Sequence, residues 1–481
     1  MKEHPGERIS ANLQENKLFL QERFGDSLDF YSKDLTLGQV SCCIVLFTGL
    51  ASPEKLTVMA LSLLEQQNET FQNGARLCRY LLRQSRIPTE GTPITTRTML
   101  VERLANGLAV LLIDGCPCAV GISTQEMPQR SVSNPGGEGN MHGPQEAFTE
   151  LLRNNVSLLR RQFRTDSFVA ELHISHTHAK TEYCLCYDRL RAPADTVAAL
   201  RRRLEKVRLP VLLDSAYFAS FLKQDKLNLF PAAAYTERPA TACARICEGK
   251  VAILVSGSPF AMIVPSFFSE HFESLDDYSS GAVFAGIIRL LKYIAFLLSV
   301  FGPGLYVMAL TYAPEMIPIR LLGTLAQAEA HTPLSPMLEM LTVTLLLEIV
   351  REAGLRAPKA ISHTVSLVGA LIIGETAVSA GIVSVPVLTM AAAATVATLA
   401  VPSLYEQSIL FRFAVILLAG LFGVPGFACG ALLILAMACG SDPFGYDYLY
   451  PLMPPCRASV RDGFVRTIWS SLARSEEEGR L

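Results

Sequence analysis

The chain has 481 residues, a formal net charge of −2 and 50% hydrophobic residues, with a mean hydropathy of +0.31. That length points to about two to four domains rather than one. The net charge by itself says nothing about partners, and no basic run points to nucleic acid. The hydropathy is high for a soluble protein, and the average conceals a division. From Ile361 to Cys456 the only charged residues are Glu375, Glu406, Arg412, Asp442 and Asp447, whereas residues 1–280 have ordinary charge density.

Residues 1–35 read as polar and helical, with a break at Gly25-Asp26. Leu35–Leu50 is apolar and β-branched and reads as a strand, and Pro53 opens an expected helix over Glu54–Gln67. Two stretches then echo each other, LAVLLIDGCPCAVGIS (108–123) and VAILVSGSPFAMIVP (251–265). Each is an apolar run, a turn with glycine and a second apolar run, the pattern of a β-hairpin. Between them, Pro144 and Glu146 predict a helix start running through Arg161. Strands are expected at Val169–Ile174, Tyr183–Tyr187 and Pro210–Leu213, with a basic amphipathic helix over Asp195–Lys206.

The membrane-like half opens near Phe284. Ile287–Tyr312 carries Arg289 and Lys292 at its front, and Gly302-Pro303-Gly304 predicts a break or kink. Met337–Val350 is short for a crossing unless its charged ends are included. Ile361–Val383 and Val385–Val401 read as a helical hairpin turning near Pro386. Arg412–Ala438, interrupted at Gly423–Gly426, is one kinked crossing or two half-helices. The tail carries Arg457, Arg461, Arg466, Arg474 and Arg480, which favours the cytosolic side.

The expected fold class is therefore an α/β cytosolic N-terminal region of two related subdomains followed by an all-α multi-pass membrane domain. The expected boundaries are 1–280 (subdomains about 1–165 and 166–280), 281–456 for the membrane domain, and 457–481 for a basic cytosolic tail. No long apolar core opens the chain, so no secretory signal is expected. The twelve cysteines are then read as free thiols in a reducing compartment.

Neither GxSxG, Walker nor Rossmann patterns occur. Gly136-Gly137-Glu138-Gly139 lacks the Gly-Lys-Ser/Thr ending that holds phosphates. The chain is not read as an enzyme, and no cofactor is expected. His173, His176 and His178 lack an acidic or thiolate partner at a fixed spacing, so no metal is expected. Cys116 with Cys118, and Cys184 with Cys186, share strand faces and read as core.

Two polar constellations stand out in the apolar half. Glu348, Glu352 and Arg356 fall at i, i+4 and i+8. With Arg351 they form a charged elbow that is either a salt-bridged helix end or part of a gate. Thr364, Leu371, Glu375 and Ser379 make a narrow stripe that either packs against another helix or lines a pore. An ionisable side chain in such a run is costly and is read as functional by default.

Together these residues resemble the A subunits of GerA-type spore germination receptors and the stage V sporulation protein AF group. In the soluble half the resemblance rests on Asn134-Pro135, Glu138, Gly143-Pro144, Glu146, Phe148-Thr149-Glu150, Asn155, Arg160-Arg161 and Glu237-Arg238-Pro239. Gly257–Phe260, Pro303–Val307, Glu315–Pro318, Arg351–Arg356 and Val368–Gly374 extend it to the apolar half. The chain departs from the family at His142, Gln145, Ala240 and Ser256. It also reads Gly374-Glu375-Thr376-Ala377-Val378-Ser379-Ala380-Gly381, which places a carboxylate at Glu375 and removes one at Ser379.

The resemblance implies a multi-pass protein of the spore inner membrane with a cytosolic N-terminal domain. Its implied partners are the lipid bilayer, copies of itself in a homo-oligomer, a transporter-like nutrient-sensing subunit and a lipoprotein subunit. The implied function is a receptor subunit forming an ion channel. A non-conducting scaffold and a secondary transporter remain as alternatives, as does an AF-type accessory role.

Overall fold

The computed structural model describes residues 8–51, 55, 71–83, 91–124, 143–223, 228–358, 369 and 371–450. Two compact units emerge. One comprises Met1–Leu222 with Ala233–Pro265, the other Lys223–Ala232 with Ser266–Leu481.

The first unit is built from one motif used twice. Its described elements run α1 (Leu13–Phe24), β1 (Phe30–Leu37), β2 (Val40–Phe47), α2 (Gly74–Arg83), β3 (Gly91–Ile94), α3 (Arg97–Ala105), β4 (Ala109–Ile113) and β5 (Ala119–Ile122). The same order returns, with one short extra helix at Ala219–Leu222 before β8, as α4 (Leu152–Gln162), β6 (Phe168–Ile174), β7 (Glu182–Asp188), α5 (Ala194–Glu205), β8 (Ala234–Thr236), α6 (Pro239–Cys247), β9 (Val251–Val255) and β10 (Ala261–Val264). The sheets are ordered β1-β2-β4-β5-β3 and β6-β7-β9-β10-β8, which is one topology written twice. Every described pairing is antiparallel.

The two predicted hairpins are the β4–β5 and β9–β10 pairs. Both loops, Asp114-Gly-Cys-Pro-Cys118 and Ser256-Gly-Ser-Pro-Phe260, place glycine second and proline fourth. Gly115 and Gly257 sit at φ of 72° and 92°. A Cβ on either would meet nothing within 4 Å, so the glycines are required by backbone conformation alone.

Strands β4 and β9 are buried along their whole length. On β4 the two-residue period sends Ala109, Leu111 and Ile113 to a core completed by Leu77 and Leu81 of α2. Val110 and Leu112 face the opposite core, with Leu20 and Phe24 of α1 and Leu100 and Leu104 of α3. In the second repeat, α4 and α6 cover Cys184, Cys186, Ala252 and Leu254.

Five local expectations change, and the helix expected over Glu54–Gln67 lies outside the described residues except at Lys55. Residues 30–35, read as helical, belong to β1, and Cys116 and Cys118 lie in the β4–β5 loop rather than on a strand face. Leu35–Leu50 is not one strand but the β1–β2 hairpin, because Gly38, at φ 65°, turns the chain between Leu37 and Val40. Pro210–Leu213 forms no strand. The helix expected from Pro144 begins only at Leu152, because Asn155 holds Thr149 in a loop. Its Oδ1 accepts the Thr149 amide at 2.7 Å and its Nδ2 donates to the Thr149 carbonyl at 2.6 Å.

The second unit is helical, with α7 (Ala282–Tyr312), α8 (Ile319–Glu329), α9 (Pro336–Arg356), a π-helical turn (Ile372–Thr376), α10 (Val385–Thr398) and α11 (Tyr405–Cys439). Helices Ala282–Tyr312 and Pro402–Cys439 are long and apolar enough to cross a membrane. Of the break or kink expected at Gly302-Pro303-Gly304, no break occurs, and α7 stays helical through Pro303. The break in α11 does occur, at Gly423, with φ 65° and ψ −139°. Close packing fixes both places: a Cβ on Gly304 would lie 2.5 Å from Val415, and one on Gly423 2.8 Å from the Tyr312 ring. Arg289, at the front of α7, is fully buried and donates to Asp277 at 3.2 Å.

Candidate functional site

In the first unit the resemblance-bearing residues converge on one strap. Phe148 donates its amide to the Glu237 carbonyl at 2.7 Å, and Gly257 donates to the Glu150 carbonyl at 2.8 Å. Arg238, buried, donates from Nη1 to the Pro144 carbonyl at 2.8 Å. Pro239 occupies the first turn of α6, Glu146 pairs with Arg161, and Gly143 has φ 101°. Pro135 and Glu138 lie outside the described residues.

Arg160 ties the two repeats together. Its Nε and Nη2 grip both oxygens of Asp29 at 2.9 and 3.0 Å, Nη2 also donates to Ser27 Oγ at 2.6 Å, and Nη1 donates to the Phe168 carbonyl at 3.0 Å. The guanidinium lies 4.5 Å from the Phe47 ring centroid and 4.6 Å from that of Phe168. These groups are a fastening, with no opening for a ligand.

Of the histidines, His173 stacks on Tyr183 at 5.3 Å and its Nε2 lies 3.4 Å from Glu171. Among the described residues no three His, Cys, Asp or Glu side chains gather as metal ligands.

The charged elbow divides in two. Arg351 Nε donates to Glu348 Oε1 at 2.7 Å, Tyr405 donates its hydroxyl to the same oxygen, and the guanidinium lies 3.6 Å from the Tyr405 ring centroid. This links the end of α9 to the start of α11. Glu352 and Arg356 form a separate pair at 2.6 Å, largely exposed, of the kind that contributes about 0–1 kcal/mol.

Of the stripe, Leu371, Glu375 and Ser379 are exposed, while Thr364 lies outside the described residues. Glu375 sits within the π-helical turn, a rare geometry that recurs at functional sites. Ser379 Oγ donates to the Thr376 carbonyl at 3.1 Å.

Two polar arrangements were not anticipated as sites. Arg412, 1% exposed, donates from Nε to the Ser299 carbonyl of α7 at 2.7 Å and from Nη2 to the Ala394 carbonyl of α10 at 3.0 Å. The other gathers Glu329 and Glu339, with Ser384 bonded to both. The one sequence signal for each was a charge inside an apolar run.

Fold and sites together define a two-part protein, a duplicated α/β unit joined to a helical unit with, among the described residues, two helices of membrane-crossing length. The family of Bacillus/Clostridium GerA spore germination proteins matches residues 19–477. Spore germination protein KA of Bacillus subtilis (strain 168) is 31% identical over 468 residues, covering 96% of this chain and 85% of that protein. The uncharacterized membrane protein YfkQ of the same organism is 30% identical, covering 97% and 91%. GerLA of Bacillus cereus is 29% identical, covering 95% and 94%. The crystal structure of the N-terminal domain of the A subunit of the Bacillus megaterium spore germinant receptor GerK3 aligns with a TM-score of 0.44 at 24% identity, covering 55% of this chain and 99% of that one. The chain belongs to the GerA family of spore germination proteins, as an A-type subunit.

Proposed function

We propose that the protein is the ion-conducting membrane subunit of a spore germination receptor. It lies in the spore inner membrane as a multi-pass protein, with the duplicated α/β unit and the basic tail in the cytosol. Copies of the chain assemble, and Glu375 with Leu371 and Ser379 faces the ion path. A transporter-like nutrient-sensing subunit and a lipoprotein subunit are the partners that open it, and the Glu348–Arg351–Tyr405 elbow is where α9 and α11 move together.

The observation that carries this reading is the exposure of Glu375 inside the run 361–383, where it is the only formal charge. A carboxylate there is costly against lipid. Facing a shared hydrated path removes that cost, and a ring of such groups favours cations.

The test is Glu375→Gln in the receptor reconstituted with its partner subunits in liposomes. Cation selectivity or release rate should fall several-fold while assembly is unchanged. Unaltered flux from a well-assembled variant would remove Glu375 from the path, and absence of flux from the unmodified receptor would favour a docking scaffold.

A further inference from the structure

The helical unit brings together two carboxylates that have no basic partner among the described residues. Glu329 ends α8 and Glu339 lies in the first turn of α9. Ser384, the residue before α10, donates its amide to Glu339 Oε1 and its hydroxyl to Glu329 Oε1, the latter at 3.1 Å. Glu329 is within electrostatic reach of Glu339, and the Tyr306 hydroxyl of α7 lies beside Glu329. Four separate elements thus contribute one oxygen-rich cluster.

Its charge is unbalanced. Among the described residues no Lys, Arg or His lies within salt-bridge distance of either carboxylate. Glu339 is 0% exposed, yet its Oε2 accepts no hydrogen bond. An uncompensated charge in such a place is expensive. The amide and hydroxyl of Ser384 supply dipoles, not charge. Glu329 is only half-buried, which leaves a side from which a small ion can enter.

We infer that Glu329 and Glu339 form a binding site for one hard divalent cation, with the Tyr306 and Ser384 hydroxyls at its edge. Two carboxylates match a divalent charge, and carboxylate and hydroxyl oxygens are the ligands that calcium-like ions take, with water completing the shell. Because the cluster joins α7, α8, α9 and α10, an ion there braces the bundle. The proposal does not depend on ion conduction.

The experiment uses the full chain in detergent near neutral pH. Terbium, a calcium-like probe whose emission tyrosine sensitises, is titrated and then displaced with Ca²⁺. In parallel, the melting temperature is read in CaCl2 and in KCl at equal ionic strength. Saturable emission, its displacement by Ca²⁺ and a Ca²⁺-dependent rise in melting temperature are expected. Glu329→Gln and Glu339→Gln should each weaken binding by about 10–100-fold, and Tyr306→Phe should dim the emission.

Emission unchanged in both Gln variants overturns the proposal, as does stabilisation by K⁺ but not Ca²⁺. So does an unmodified protein whose melting temperature ignores Ca²⁺ while Glu339→Gln melts above it, the result expected if the carboxylates share a proton. Should Glu339→Gln fail to fold, the half-buried Glu329→Gln decides alone. Binding without flux in liposomes would sink the channel reading and leave this site standing.

Discussion

Arg412 supplies the hydrogen bond that Pro303 cannot. Proline has no backbone N–H, so the carbonyl four residues earlier, that of Ser299, loses its partner within the helix. Arg412 Nε donates to that carbonyl at 2.7 Å. The same pairing of proline with an outside donor recurs at the break in α11. There Pro425 frees the Leu421 carbonyl, and the Tyr312 hydroxyl lies 3.4 Å from it while donating to the Gly420 carbonyl at 2.9 Å.

Arg412→Met should therefore destabilise the full chain, since the buried Ser299 carbonyl left without a donor costs about 1–3 kcal/mol, whereas the Ala394 carbonyl keeps the Thr398 hydroxyl at 2.8 Å. Pro303→Ala restores the N–H and should recover part of that loss in the double variant. Melting temperatures of the four proteins in detergent form the cycle. If the two changes add, with no recovery, Arg412 does not act through the Ser299 carbonyl.

In the α/β unit, Asp29→Ala leaves the Arg160 charge buried, at 0% exposure, without its carboxylate. A loss of about 3–5 kcal/mol is expected from breaking one side of a buried pair. Replacing both residues with apolar side chains of similar volume should be milder than Asp29→Ala. Chemical denaturation of the three proteins checks the order, and a double variant worse than the single one would contradict it.

Glu171 gives the unit an acid limit. Burial pushes its carboxyl up, but hydrogen bonds from His173, Arg201 and Tyr187 prevail and hold it at about 2 against an ordinary 4.5. A folded value below the unfolded one means that the stabilisation is complete at neutral pH. It is lost as pH falls from 4.5 through about 2, and amounts to roughly 3 kcal/mol. Glu171→Gln should be less stable than the unmodified protein at neutral pH, with the gap closing below pH 4.5. A gap independent of pH would assign the effect to packing.

What the sequence revealed was whatever rests on neighbouring residues. Both hairpins were readable because strand, Gly-Pro turn and strand fall within about 15 residues, and the repeat of that pattern announced the duplication. The α11 break was readable from Gly423 and Pro425. The helix start at Leu152 was hidden, because Asn155 acts across a loop and Pro144 is a stronger local signal. Pro303 pointed to a break in α7 for the correct local reason. The donor that keeps its carbonyl satisfied comes from a residue 113 positions later. Glu339 was visible as a charge in an apolar run, but its pairing with Glu329 and Ser384 needs three helices in place.

Arg412 also dictates an order of construction. A lone arginine is among the costliest residues to leave in a bilayer. Its acceptors precede it in the chain, Ser299 by 113 residues and Ala394 by 18. A ribosome delivers both docking points before the guanidinium is made, so α11 meets a prepared seat when it arrives. The reverse arrangement would strand the charge until its helices caught up.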